Sequence, residues 1–180
     1  MLGKKDNYMY YAIIIISILL VWGIIIFNML IRDRNRVLAA WSDIDVQLTR
    51  RHDLIPNLTK IVKEYASYER STITAVTELR AQSLTLSDVT EKGKVESELE
   101  SKLHKLIAVA ENYPDLKANK TFLDLQTQLT EVENQIQYAR RYYNGAVRNF
   151  NTRIEKFPDL LVARCFSFLA ARYFEFNGTE

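Results

Sequence analysis

Apolar residues recur at Phe122, Leu125, Leu129, Val132, Ile136, Ala139, Tyr143, Val147, Phe150 and Ile154, always in steps of three or four. That spacing follows the turn of an α-helix and predicts one long amphipathic helix over 119–157. Such a stripe is stable only against a partner, so other helices must form the opposite wall. Upstream, Val37, Trp41, Ile44, Leu48 and Ile55 share a face and predict a helix over 32–55. Leu58, Ile61, Val62, Tyr65, Ile73, Val76 and Leu79 predict another over 57–82, and Val95, Leu99, Leu103, Leu106 and Ala110 a third over 91–111. Pro56 removes a backbone donor and disfavours helical geometry at Ile55, so a kink or break is expected there. With no room for a loop at 53–58, a bent helix is favoured over a hairpin. Residues 83–94 hold Ser, Thr, Asp and Gly93 without a helical face and read as the main loop.

The long helix has two candidate N-caps, Asn119 and Thr121, the latter with Asp124 at capping-box spacing. Phe157 and Pro158 close it. A short apolar tail over 158–176 follows, with Arg164 the only charge in 160–171. A run of that length reads as a buried core helix or an interfacial segment rather than a second span.

The pattern changes character at the N-terminus. Residues 7–31 are uncharged and almost wholly Ile, Leu, Val, Ala and aromatic from Tyr11 to Phe27. As helix they reach roughly 37 Å, enough to cross a hydrocarbon core of about 30 Å. Tyr8, Tyr10 and Tyr11 stand where an aromatic belt belongs, and no small-residue cleavage site follows the apolar core. The reading is an uncleaved anchor, with 1–31 as tail and span and 32–180 as the domain. Lys4 and Lys5 flank one side, and Arg32, Arg34 and Arg36 the other. The positive-inside rule then predicts a single-pass protein of the cell membrane, N-terminus outside and domain cytoplasmic. No Gly or Pro separates span from domain, so the anchor helix should run straight into it. The fold class is all-α: a transmembrane helix continuous with an antiparallel four-helix bundle.

Charge and motifs narrow the function. Residues 32–180 carry 22 basic and 21 acidic side chains, a balance that argues against a nucleic-acid domain. Cys165, the sole cysteine, lies in the apolar tail, where a buried inert thiol is expected. His52 and His104 have no ligand-spaced partners, and none of the five glycines forms a phosphate loop. Glu96, Glu98, Glu100, Lys102 and Lys105 read as a solvated face. No catalytic, cofactor or metal residues are expected.

One polar constellation stands out. Arg141, Asn144, Arg148 and Asn151 form a ridge beside the apolar stripe, and 134–154 contains no acidic residue. It reads as a solvated face, as a patch for an acidic partner or anionic lipid, or as a buried network with Asp43, Asp45 or Asp53. The buried network is the expectation taken forward, with Asp45 or Asp53 as the acid.

The chain also resembles a known family. WSDIDVQL at 41–48, RRHDLIPNL at 50–58, ENYPDLKAN at 111–119 and RRYYN at 140–144 carry the resemblance. Phe122, Leu125, Gln126, Glu133, Asn134, Val147, Phe150, Asn151, Phe157 and Pro158 complete it, in order, over about 39–163. Together they are similar to the LemA family of bacterial membrane proteins. The resemblance implies an N-terminal anchor and a helical bundle, and it brings no established enzymatic activity and so no catalytic residues. The tail after Ser167 is more apolar than the family's.

The leading reading is a membrane-anchored interaction or scaffold module of the bacterial cell envelope. Its partners are the bilayer, through 7–31, and another membrane or cytoplasmic protein; an oligomer is compatible with the sequence. The alternatives are an accessory enzyme completed at a partner interface, using His52, His104, Asp53 or Glu111, and a protein that remodels membranes directly.

Overall fold

The computed structural model describes residues 3–66 and 68–174, and all regular structure among them is helical. The elements are α1 (Gly3–Tyr65), α2 (Arg70–Thr85), α3 (Val89–Val109), a 3-10 turn (Ala110–Asn112), α4 (Pro114–Lys117), α5 (Lys120–Glu155) and α6 (Asp159–Cys165). The chain forms two compact units, Met1–Leu38 with Ala146–Ala171, and Ala39–Gly145 with Arg172–Glu180.

In the first unit the N-terminal part of α1 is a candidate membrane span. The most apolar window of α1 has a mean hydropathy of 2.8, and only 11% of it is buried. Apolar side chains from Tyr8 to Ile25 face outward, as a lipid-facing helix requires. Further along, Ile26, Leu30 and Val37 of α1 are buried, as are Val147, Phe150 and Ile154 of α5 and Ala163 of α6.

The second unit is organised around one core. Ile55, Leu58 and Val62 of α1 meet Val76 and Leu79 of α2, Leu99, Leu103 and Leu106 of α3, and Phe122 and Leu129 of α5. The α5 stripe is buried as its spacing predicts, with Ala139 alone half-buried.

Three boundaries differ from the sequence reading. First, α1 is continuous through Pro56, as the favoured reading of 53–58 has it, so the expected boundary between 55 and 57 is absent and α1 ends at Tyr65. Pro56 deprives the His52 carbonyl of its helical donor. Arg80 supplies a replacement, its Nε donating to that oxygen at 2.8 Å. Instead α1 ends at Tyr65 and α2, from Arg70, returns along it as a hairpin; 57–82 is therefore not one helix. Arg80→Met should leave that carbonyl unpaired and cost about 1–3 kcal/mol. Thermal unfolding followed by circular dichroism checks it, and an unchanged melting temperature would show that Arg80 is dispensable.

Second, the expected loop at 83–94 shrinks to 86–88. α2 runs on to Thr85, and α3 starts at Val89 because Asp88 caps it, accepting from the Thr90 and Glu91 amides at 3.0 and 3.1 Å. Third, Asn119 rather than Thr121 caps α5: its Oδ1 accepts from the Phe122 amide at 3.1 Å.

Candidate functional site

Charged side chains enter the core of the second unit at three apolar-phase positions. On α1, Leu48, Arg51, Ile55 and Leu58 follow one another at helical steps, so Arg51 points where a leucine would. On α3, Glu96 precedes Leu99, Leu103 and Leu106 in the same phase. On α5, Glu133 lies four residues after Leu129 and three before Ile136. All three are buried, and Arg51 is 1% exposed.

They meet. Arg51 Nη1 donates to Glu133 Oε1 at 2.7 Å, and Arg51 Nη2 donates to Glu96 Oε2. The other Glu96 oxygen accepts from His52 Nε2 at 2.8 Å and from the Ser83 hydroxyl. A carboxylate only accepts, so His52 carries its proton on Nε2. α1, α2, α3 and α5 are thus joined through one guanidinium and two carboxylates.

Burial pushes the Glu96 carboxyl up, but the His52 hydrogen bond, the Arg51 and His52 charges and the Ser83 hydroxyl outweigh it and hold it at about 2. Burial likewise pulls Arg51 down, and the charges of Glu133 and Glu96 more than reverse it, keeping the guanidinium above its ordinary value. For Glu100, one turn on, burial and the Glu133 charge raise the carboxyl instead.

By its geometry the cluster ties helices together. The Ser83 hydroxyl donates to Glu96, a carboxylate held at about 2 and so a weak base for activating a nucleophile. Among the described residues, no three His, Cys, Asp or Glu side chains are arranged to hold a metal ion.

The ridge residues take different places. Arg141 and Arg148 are exposed, as are Asp43, Asp45 and Asp53. Among the described residues no aspartate of this set meets a ridge arginine. Asp45 pairs with Lys92 at 2.9 Å, and Arg141 lies 4.7 Å over the Tyr138 ring. The expected buried network is therefore corrected: Arg51, with Glu96 and Glu133, occupies the role assigned to Arg141 and Arg148. The physical reason is phase, since the ridge lies beside the stripe whereas Arg51 lies within it. Arg141→Ala and Arg148→Ala should each change stability by about 0–1 kcal/mol. A melting curve displaced by several kcal/mol would restore the buried reading.

The asparagines are clamps. Asn144 donates to the Phe174 carbonyl at 3.2 Å and accepts from the Phe174 amide at 3.0 Å. Asn151 does the same for Ala171, at 2.9 and 2.8 Å. In the second unit, Trp41 packs on Tyr143 and Phe174 with centroids 5.7 and 5.8 Å away, and the Tyr143 hydroxyl donates to the Arg172 carbonyl at 2.8 Å.

Two further expectations change. Glu96 does not belong to a solvated face. Cys165 is exposed, because α6 is only seven residues long and buries Ala163 alone. Most of the tail is exposed too, which removes the buried-core reading of it. The Glu111 side chain and residues 175–176 lie outside the described residues. Taken singly, Arg51, His52 and Glu96 give no sign of the core cluster; the signal for it is a charged residue in the apolar phase of each of three helices.

Comparison with known proteins places these features. A model of the LemA family matches residues 40–180. Protein LemA of Metamycoplasma hominis is 30% identical over 76% of this chain, which spans 63% of that protein's length. Magnetosome protein MamQ 2 of Paramagnetospirillum magneticum is 25% identical over 92% of the chain and 72% of its own length. Magnetosome protein MamQ of Magnetospirillum gryphiswaldense is 23% identical over 74% of the chain and 58% of its own. Neither name denotes an enzyme. With an all-α fold, a candidate N-terminal span and a family match from residue 40 onward, the chain belongs to the LemA family.

Proposed function

We propose that the protein is a membrane-tethered interaction module whose contact surface is the outer face of α5. The observation that carries this reading is the division of polar residues in the second unit. Arg51, His52 and Glu96 are sealed in the core, where they hold helices together. The surface of α5 presents Asn134, Tyr138 four residues on, and Arg141 and Tyr142 three and four beyond that, all exposed. Tyrosine and arginine are the side chains most often found at the centres of protein interfaces. The absence of acidic residues from 134–154 suits a partner with an acidic surface.

The proposal includes the topology read from flanking charge, N-terminus outside and domain in the cytoplasm. A C-terminal reporter active only outside the cytoplasm should stay silent, and its activity would reverse that assignment. For the contact face, a photo-crosslinking side chain at Tyr138 or Tyr142 should capture one discrete protein in intact cells. Arg141→Glu should abolish the product. Absence of a product, or one indifferent to Arg141→Glu, would refute this face as the contact surface.

A further inference from the structure

The tail ending the first unit leaves large apolar side chains outside. Phe157 is 72% exposed, Leu161 54%, Phe166 61% and Leu169 82%. A tail free in water would bury these residues or lack them. Its position explains the exposure. Phe27, near the end of the uncharged stretch of α1, lies against Phe166 with ring centroids 4.7 Å apart and against Phe168 at 6.0 Å. Asn151 pins the far end of the tail at Ala171. Phe27 stands four residues before Ile31, so Phe166 lies within roughly 6 Å of the end of the span along the helix axis.

Charge is arranged to match. Arg32, Arg34 and Arg36 follow the span directly, and Lys156 and Arg164 flank the exposed apolar residues. The one acidic side chain of 157–171 is Asp159, which lies 3.7 Å from Arg153 Nε. An open cleft of about 470 Å³ is lined by Phe27, Ile31, Val37, Phe168 and Leu169 together with one cation, Arg34. Apolar walls with a single guanidinium suit a lipid, which is apolar along its chain and anionic at its head.

We propose that residues 157–169 lie in the boundary between headgroups and hydrocarbon of the same bilayer that α1 crosses. The tail is then a second, interfacial attachment, burying its apolar side chains to about 5–10 Å while Lys156 and Arg164 meet anionic headgroups. The proposal rests on α1 spanning the membrane and holds for either orientation.

Cys165, exposed and the sole cysteine, gives the test its probe position. The full chain, labelled there with an environment-sensitive fluorophore, is reconstituted at one chain per nanodisc of phosphatidylcholine and phosphatidylglycerol. Lipids carrying a doxyl quencher near the headgroup should quench the label. A label at Ser87→Cys, in the loop after α2 and with Cys165→Ser, should not be quenched. A label at Ile18→Cys, with Cys165→Ser and a doxyl group deep in the acyl chain, reports on the span itself. Leu169→Glu should weaken quenching at Cys165 about fivefold, from losing burial of roughly half a leucine side chain, while the Ile18→Cys signal stays unchanged.

An unquenched Cys165 beside a quenched Ile18→Cys overturns the proposal and leaves the anchor standing. If neither is quenched, the span reading fails and the tail proposal with it. Shielding that requires several chains per disc assigns the face to a second copy, which also overturns it. Quenching indifferent to Leu169→Glu with Phe166→Ser would mean that the dye inserts on its own, and the proposal would fall there too.

Discussion

Arg51→Ala should unfold the protein at a melting temperature lower by about 6–20 °C. The substitution leaves Glu96 and Glu133 in the core without the cation that compensates them, and breaking a buried pair from one side costs about 3–5 kcal/mol. For a domain near 150 residues each kcal/mol moves the midpoint by about 2–4 °C. Arg51→Lys should recover only part of the loss, because two guanidinium nitrogens serve two carboxylates and an ammonium is a single point charge. Circular dichroism of the full chain in detergent measures both. A midpoint within a degree or two of the parent would show that the cluster does not hold the helices. Arg51→Met with Glu96→Leu and Glu133→Leu asks a different question. Replacing all the charges by apolar groups is often neutral or stabilising, so this triple variant should melt well above Arg51→Ala.

Acid should destabilise the domain between pH 4.5 and about 2, and Glu96 should account for much of the change. Its carboxyl is held at about 2 when folded, against 4.5 for the unconstrained group. A folded value below the unfolded one means stabilisation that is complete above pH 4.5 and lost as pH falls through that window. The difference corresponds to roughly 3 kcal/mol at neutral pH. Glu100 acts in the opposite sense: its raised carboxyl contributes stability at low pH that is lost as pH rises past 4.5. Denaturant melts across this range give the slope, and Glu96→Gln should flatten it. A Glu96→Gln protein with the parental acid slope would place the responsible carboxylate elsewhere.

These predictions rest on Arg51, His52, Ser83, Glu96 and Glu133, a set that no single stretch of chain reveals. The α5 stripe is legible because a period of three and four residues is a local property of a helix, and so is the uncharged run at 7–31. The caps are half legible: Asn119 and Thr121 offer equal chemistry, and only the Phe122 amide position chooses Asn119. At Pro56 the local rule misleads. The rule concerns a lost donor, and α2 returns Arg80 to the same carbonyl from 28 residues away.

The sequence by itself determined that the chain is helical, where its apolar face on α5 runs, and that its N-terminus can cross a membrane. Each follows from spacing or length within one segment. Only the tertiary structure decided which charges are buried. Arg51 and Arg141 are both arginines on amphipathic helices; one faces two carboxylates inside the core and the other faces solvent over Tyr138. The difference lies in what the neighbouring helices place opposite each guanidinium. The same holds for Asn144 and Asn151, whose partners are backbone groups 20 or more residues along the chain. Periodicity specifies a residue's direction from its own helix axis, and packing alone specifies what stands there to meet it.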